Sequence, residues 1–292
     1  MKTRIRTTFF LLVGAMFLLA YQNNPPTSLS WPVPETFVQN YGPFDLREDQ
    51  LQQVPPMGRL KLPEDAWLVG YKVEVFDKEG QALPRDLVCH TFLGDRIPMP
   101  TDPHHQALKG TYSDGFTAEI NFHEGFGIPY KAGQELIWMP MFNNRGMSPV
   151  SAVARVTYRL IWDKNLPQPL QKLNATMHSV EFPALYYVSP GKDVRETKFH
   201  LRFKGKIHMM GTHIHPYGVS MELMNLTRNE TVWKAEGRVD SEGDLVSMPV
   251  YQNLKGYAVE PNDQFKLVAT YHNTTDEDID AMAGLYIFYN AE

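Results

Sequence analysis

His213 and His215 stand two residues apart in the run KIHMMGTHIHPYGVSMELMN, residues 206–225. On a strand, side chains two positions apart leave the same face, so the two imidazoles would stand roughly 7 Å apart along the chain and could share one metal ion. The alternative is a pair of half-buried strand histidines satisfied by backbone carbonyls. A third donor with a physical rationale is Met282, in DEDIDAMAGLYIFYNAE, because a thioether is the soft ligand that selects copper, above all Cu(I), over zinc. The chain has 14 methionines, so a core gap-filling role for Met282 is the competing reading.

Other residues read less sharply. Cys89 is the only cysteine, which excludes an intramolecular disulfide and leaves it either a small hydrophobe or a soft ligand beside His90. His104 and His105 follow a proline-rich stretch and read as solvated loop histidines. His123, before the glycine turn at Gly125, reads equally as donor or loop residue, and His208 and His272 read as structural. The acidic run Asp276, Glu277, Asp278 and Asp280 lacks the glycine and terminal glutamate of an EF-hand and reads as a solvated loop. Nucleophile elbows, phosphate-cradling glycine loops and His-Glu-x-x-His helices are missing from the sequence, which removes the hydrolases that announce themselves by motif.

The elements that must position these residues read as strands. Lys2, Arg4 and Arg6 precede the apolar run Phe9 to Ala20, the pattern of an export signal over residues 1–21, too short to span a bilayer. An exported protein, periplasmic or extracellular, is therefore expected. Residues 22–65 are rich in proline, asparagine and glutamine and read as an arm or linker. From Trp67 onward, short runs of β-branched and aromatic residues alternate with turn signals, and three turns of a 3.6-residue apolar stripe appear nowhere. Polar residues and prolines over 166–182 interrupt the rhythm. The expected fold is all-β: two tandem antiparallel, jelly-roll-like β-sandwiches over 66–165 and 183–292, with 166–182 as the linker between them. A net charge of −5 with interspersed signs argues against nucleic acid or an anionic membrane as partner.

At THIHPYGVSMEL and DAMAGLYIFY the second half resembles the C-terminal domain of the type II copper, ascorbate-dependent monooxygenases, the family of peptidylglycine α-hydroxylating and dopamine β-monooxygenase. The resemblance implies that His213, His215 and Met282 ligate the copper at which oxygen is activated. It also implies a small organic or peptide-like substrate and a reductant such as ascorbate. The first half departs from the family pattern: Val88-Cys89-His90 stands where the family has Val-His-His, and Met141 stands where it has a third histidine. The electron-delivering copper site would then be Cys89, His90 and Met141. Two functions follow as expectations: a copper monooxygenase-type oxidoreductase, or a non-enzymatic periplasmic copper-binding or buffering protein with a degenerate second site.

Overall fold

The computed structural model describes residues 31–49, 51–95, 106–145, 148–241 and 245–292; the export-signal segment, His104 and His105 lie outside them. The first half contributes β1 (Glu35–Leu46), β2 (Gly58–Lys61), β3 (Ala66–Asp77), β4 (Val88–Gly94), β5 (Gln106–Leu108), β6 (Gly110–Asp114), β7 (Glu119–Asn121), β8 (Phe126–Tyr130), β9 (Glu135–Phe142) and β10 (Val150–Trp162). Then follow β11 (Gln171–Lys172), β12 (Asn174–Ser179), β13 (Leu185–Val188), β14 (Gly191–His200), β15 (Gly205–Ile214), β16 (Gly218–Asn225), β17 (Glu230–Glu236), β18 (Arg238–Val239), β19 (Leu245–Ser247), β20 (Tyr251–Val259), β21 (Gln264–Asn273) and β22 (Ile279–Ala291).

The expected all-β architecture is what the chain adopts. The sheet β1-β10-β3-β8-β11 faces the sheet β2-β9-β4-β6 across a core containing Tyr71, Trp138 and Tyr158. The sheet β20-β15-β22-β12-β5 faces β14-β21-β16-β17 across a second core containing Leu223, Phe265, Leu267 and Ile287. The burial pattern separates outer from inner sheets. Strands β10 and β21 alternate between buried and more exposed residues, and β14 between half-buried and exposed ones, as strands with one wet face do. By contrast β4, β6, β9, β15 and the middle of β22 are buried on both faces. They are inner because the two sandwiches pack on one another: Tyr112 of β6 stacks on Tyr286 of β22 with centroids 3.5 Å apart, and Phe92 of β4 lies 5.9 Å from the same ring.

Two boundaries differ from expectation. The segment read as an arm carries β1 and β2, which are strands of the first sandwich; β1 pairs with β10 from Glu35 to Leu46. Its alternation is hidden by Pro43, which sits where the β1–β10 register shifts between Tyr41 and Phe44 on an edge strand, a position that tolerates a missing N–H. Tyr41 and Phe44 nevertheless turn inward against Trp138, at 4.8 and 6.2 Å. The stretch read as a linker carries β11 and β12, and β12 pairs with both β22 and β5. Through β5, the first half therefore adds a strand to the inner sheet of the second.

Candidate metal centre

The centre forms where the two inner sheets meet. On β15, His213 lies opposite Gly284 and its neighbour His215 donates its backbone N–H to the Met282 carbonyl on β22. Both imidazoles leave the face turned toward the first sandwich, while Ile214 between them enters the second core. On β4, Val88 pairs with Phe142 and His90 with Met141, so Cys89 is the extra residue of a β-bulge. The bulge lets two consecutive residues, Cys89 and His90, approach the same point: Cys89 Sγ lies 3.3 Å from His90 Nδ1. It also lies 3.5 Å from His215 Nε2 and 4.0 Å from His213 Nε2. One ligand atom from each of Cys89, His213 and His215 falls within 4.8 Å of the others.

These separations suit a common ion. A thiolate sulfur about 2.3 Å and an imidazole nitrogen about 2.0 Å from one metal, at tetrahedral to trigonal angles, stand roughly 3.5–3.7 Å apart. The observed sulfur–nitrogen distances bracket that value.

Each imidazole is oriented from behind. His213 Nδ1 lies 3.1 Å from Asp114 Oδ2, and His215 Nδ1 lies 2.7 Å from Asp280 Oδ2. In each pair the carboxylate accepts a hydrogen bond from Nδ1–H, which leaves Nε2 with its lone pair on the side of the sulfur, the carboxylate–histidine arrangement that supports metal ligands. Asp114 is itself held by the backbone N–H groups of Phe116 and Thr117. Asp280 accepts from Arg145 through Nε at 3.0 Å and Nη2. All of this is dry: Cys89, His213, His215 and Asp114 are each at most 4 % exposed.

Burial governs the protonation states. It pushes the His215 imidazole down to about 4, against the opposing pull of its Asp280 hydrogen bond. It pushes the Cys89 thiol up to about 12, with Arg145 acting the other way. Burial raises Asp280, yet hydrogen bonds from His215 and Arg145 outweigh it and hold the carboxyl well below its usual range. The pocket without an ion thus holds a neutral Cys89 thiol beside a neutral His215 imidazole, and a bound cation would take over the thiol proton's place.

A pH consequence follows for the metal-free protein. His215 folds with a depressed pKa, so the unfolded chain binds more protons between about 6.5 and about 4. Its stabilising contribution is fully present above the upper limit and is lost as pH falls through the lower one, by roughly 3 kcal/mol. His90 is displaced the same way by burial and by the neighbouring histidines. Urea midpoints in chelator at pH 7, 5.5 and 4 should fall steadily; a flat profile across that window would contradict the buried neutral assignment.

The sequence expectation of two separate sites, Cys89 with His90 and Met141, and His213 with His215 and Met282, is corrected here. Cys89 joins the His213–His215 pair. His90, its ring 5.0 Å from that of His213, and Met141, its cross-strand partner, lie beside this triangle. Met282 lies on the same face as His215 and next to it across the ladder, and is 9 % exposed. Sequence reasoning missed Asp114 and Arg145. It also read Asp280 as loop, although Asp280 precedes Met282 by two residues and so shares its face.

No family model and no curated relative matches the chain. Among solved structures it is similar to the STIV MCP, at 10 % identity and TM-score 0.37 over 88 % of this chain and 97 % of that one. The major capsid protein of bacteriophage PM2 is 8 % identical, TM-score 0.39, over 88 % and 98 %. The PBCV-1 virus capsid is 6 % identical, TM-score 0.32, over 90 % and 96 %. At these scores the likeness is one of β-sandwich layout. The expected copper monooxygenase or periplasmic copper buffer, with its small-molecule or peptide-like substrate and ascorbate reductant, finds no counterpart among these viral capsid proteins and is withdrawn. Among the described residues, Cys89, His213 and His215 form one histidine–cysteine group close enough to share an ion, so the two expected sites merge into one.

Proposed function

We propose that Cys89, His213 and His215 hold one thiophilic transition-metal ion, Zn(II) or Cu(I), which fastens the first sandwich to the second. The protein is on this reading a metal-clasped structural β-protein, and the ion has no reaction to perform. The observation that carries it is the convergence of the Cys89 sulfur from β4 with the Nε2 atoms of His213 on β15 and of His215 just after it, both Nδ1 atoms already facing the carboxylates of Asp114 and Asp280. A thiolate with two imidazoles is the donor set that soft and borderline ions prefer over magnesium or calcium.

Metal content tests it directly. Protein loaded separately with zinc, or with copper under reducing conditions, and then desalted should keep one equivalent by mass spectrometry, and Cys89→Ala and His213→Ala should keep none. Absence of retention in the wild type, or equal retention in the variants, would sink the proposal. Met282 is expected to tune which ion is preferred: Met282→Ile should retain the site but lower affinity for Cu(I) roughly tenfold relative to Zn(II), since only the thioether donor is removed. Competition between the two ions measures this, and an unchanged ratio would leave Met282 a packing residue.

A further inference from the structure

Resting on the metal reading above, we propose that His90 is the fourth ligand of the ion, its Nδ1 closing a tetrahedron of one sulfur and three imidazoles around zinc. Three donors leave a tetrahedral ion one position short, and structural zinc sites fill that position with a protein ligand where catalytic sites admit water. Water has poor access here, because Cys89, His213 and His215 are buried and His90 is 7 % exposed. The missing donor must come from a side chain already inside. His90 Nδ1 lies 3.3 Å from Cys89 Sγ, and its ring centroid stands 5.0 Å from that of His213.

The hydrogen bonding of the three imidazoles divides their roles. His213 and His215 turn Nδ1 to Asp114 and Asp280 and offer Nε2. Among the described residues, the polar contact of the His90 ring is to the Cys89 sulfur, through Nδ1. In the metal-free protein a neutral imidazole accepts the thiol hydrogen there, and an ion that displaces this proton meets a lone pair already aimed at its place. The backbone fixes the ring's root: the bulge at Cys89 leaves His90 paired with Met141 on one side and with Asp114 on the other, beside the carboxylate that orients His213. What remains is a turn of the ring. The ligand atoms within 4.8 Å of one another are those of Cys89, His213 and His215, so His90 closes the tetrahedron by swinging toward His213 and away from Phe92, now 5.0 Å from it between centroids. The Met282 thioether is a softer donor suited to Cu(I), which leaves the fourth position on zinc to His90.

Cobalt(II) reads coordination number, since four-coordinate tetrahedral cobalt absorbs several-fold more strongly in the visible than five- or six-coordinate cobalt. It is titrated into the wild type, His90→Ala and His90→Gln, with far-UV circular dichroism checking the fold. The wild type should bind with the strong tetrahedral bands. Both variants should bind more weakly by about tenfold or more, at least the loss seen when a supporting partner of a ligand is removed, and their bands should weaken. Free imidazole should restore the bands of His90→Ala by entering the space left by the ring. Variants with wild-type bands and affinity, and no response to imidazole, would overturn the role of His90 while leaving the three-donor centre standing. X-ray absorption at the zinc edge of the loaded wild type needs no variant: one sulfur and three imidazoles are expected, and one sulfur with two imidazoles would likewise overturn it. A wild type that binds neither cobalt nor zinc would overturn both readings.

Discussion

Replacing Cys89 with alanine is expected to remove about 4 kcal/mol of stability from the protein in the presence of excess ion and little in its absence. An ion that binds only the folded state stabilises it by RT ln(1 + [L]/Kd), which is about 4 kcal/mol at a thousandfold excess over Kd. The ligands come from different sandwiches, Cys89 from β4, His213 from β15 and His215 from just after it, so unfolding or separating either sandwich forfeits the whole term. The thiol by itself contributes the packing of one small side chain, worth on the order of 1 kcal/mol. Denaturant unfolding of wild type and Cys89→Ala, each in chelator and in excess zinc, yields the four free energies needed. The metal-induced gain should be present in the wild type and absent in the variant. A gain of equal size in both would place the binding ion elsewhere.

The same comparison marks where a sequence stops informing. Period-two parity was enough to put His213 and His215 on one face, because a strand has no other way to arrange them. It was enough also for the all-β class, since β10 and β21 alternate along their whole length. Cys89 was legible only as a lone cysteine. Its place depends on a bulge, and a bulge is a property of a strand pair: it exists because Val88 pairs with Phe142 and His90 with Met141, residues some fifty positions away. The runs buried on both faces, such as β9 and β22, carry no alternation from which to read which side meets which sheet. Asp280 was obscured for a different reason. It closes an acidic run whose other members suit a loop, and its half-buried place follows from pairing with Arg145 and His215, neither near it in sequence.

Gly211→Ala is expected to weaken both the packing of the two sandwiches and the metal centre, and Tyr112→Phe is expected to restore much of each. A methyl group on Gly211 would lie 1.8 Å from the Tyr112 hydroxyl oxygen and 2.9 Å from the ring carbon that bears it. Tyr112 cannot step aside, since it is fully buried and stacked at 10° on Tyr286, which pairs with Gly211 across β15 and β22. Relief must therefore come from moving β15 away from β6, at an overpacking cost of about 3 kcal/mol. Two residues on, His213 shares the Gly211 face, so the same displacement draws its Nε2 away from Cys89. Phenylalanine at 112 deletes the clashing oxygen and leaves a tight contact that smaller shifts can absorb. The double variant should recover at least half of the lost stability and most of the lost metal affinity, a coupling on the order of 1–3 kcal/mol. Urea unfolding and metal titration of the two single variants and the pair measure it. Additive losses would mean that Tyr112 is not the obstacle, whereas joint recovery of stability and affinity would show that one close approach, permitted by one glycine, sets both the seating of the sandwiches and the geometry of the ligands between them.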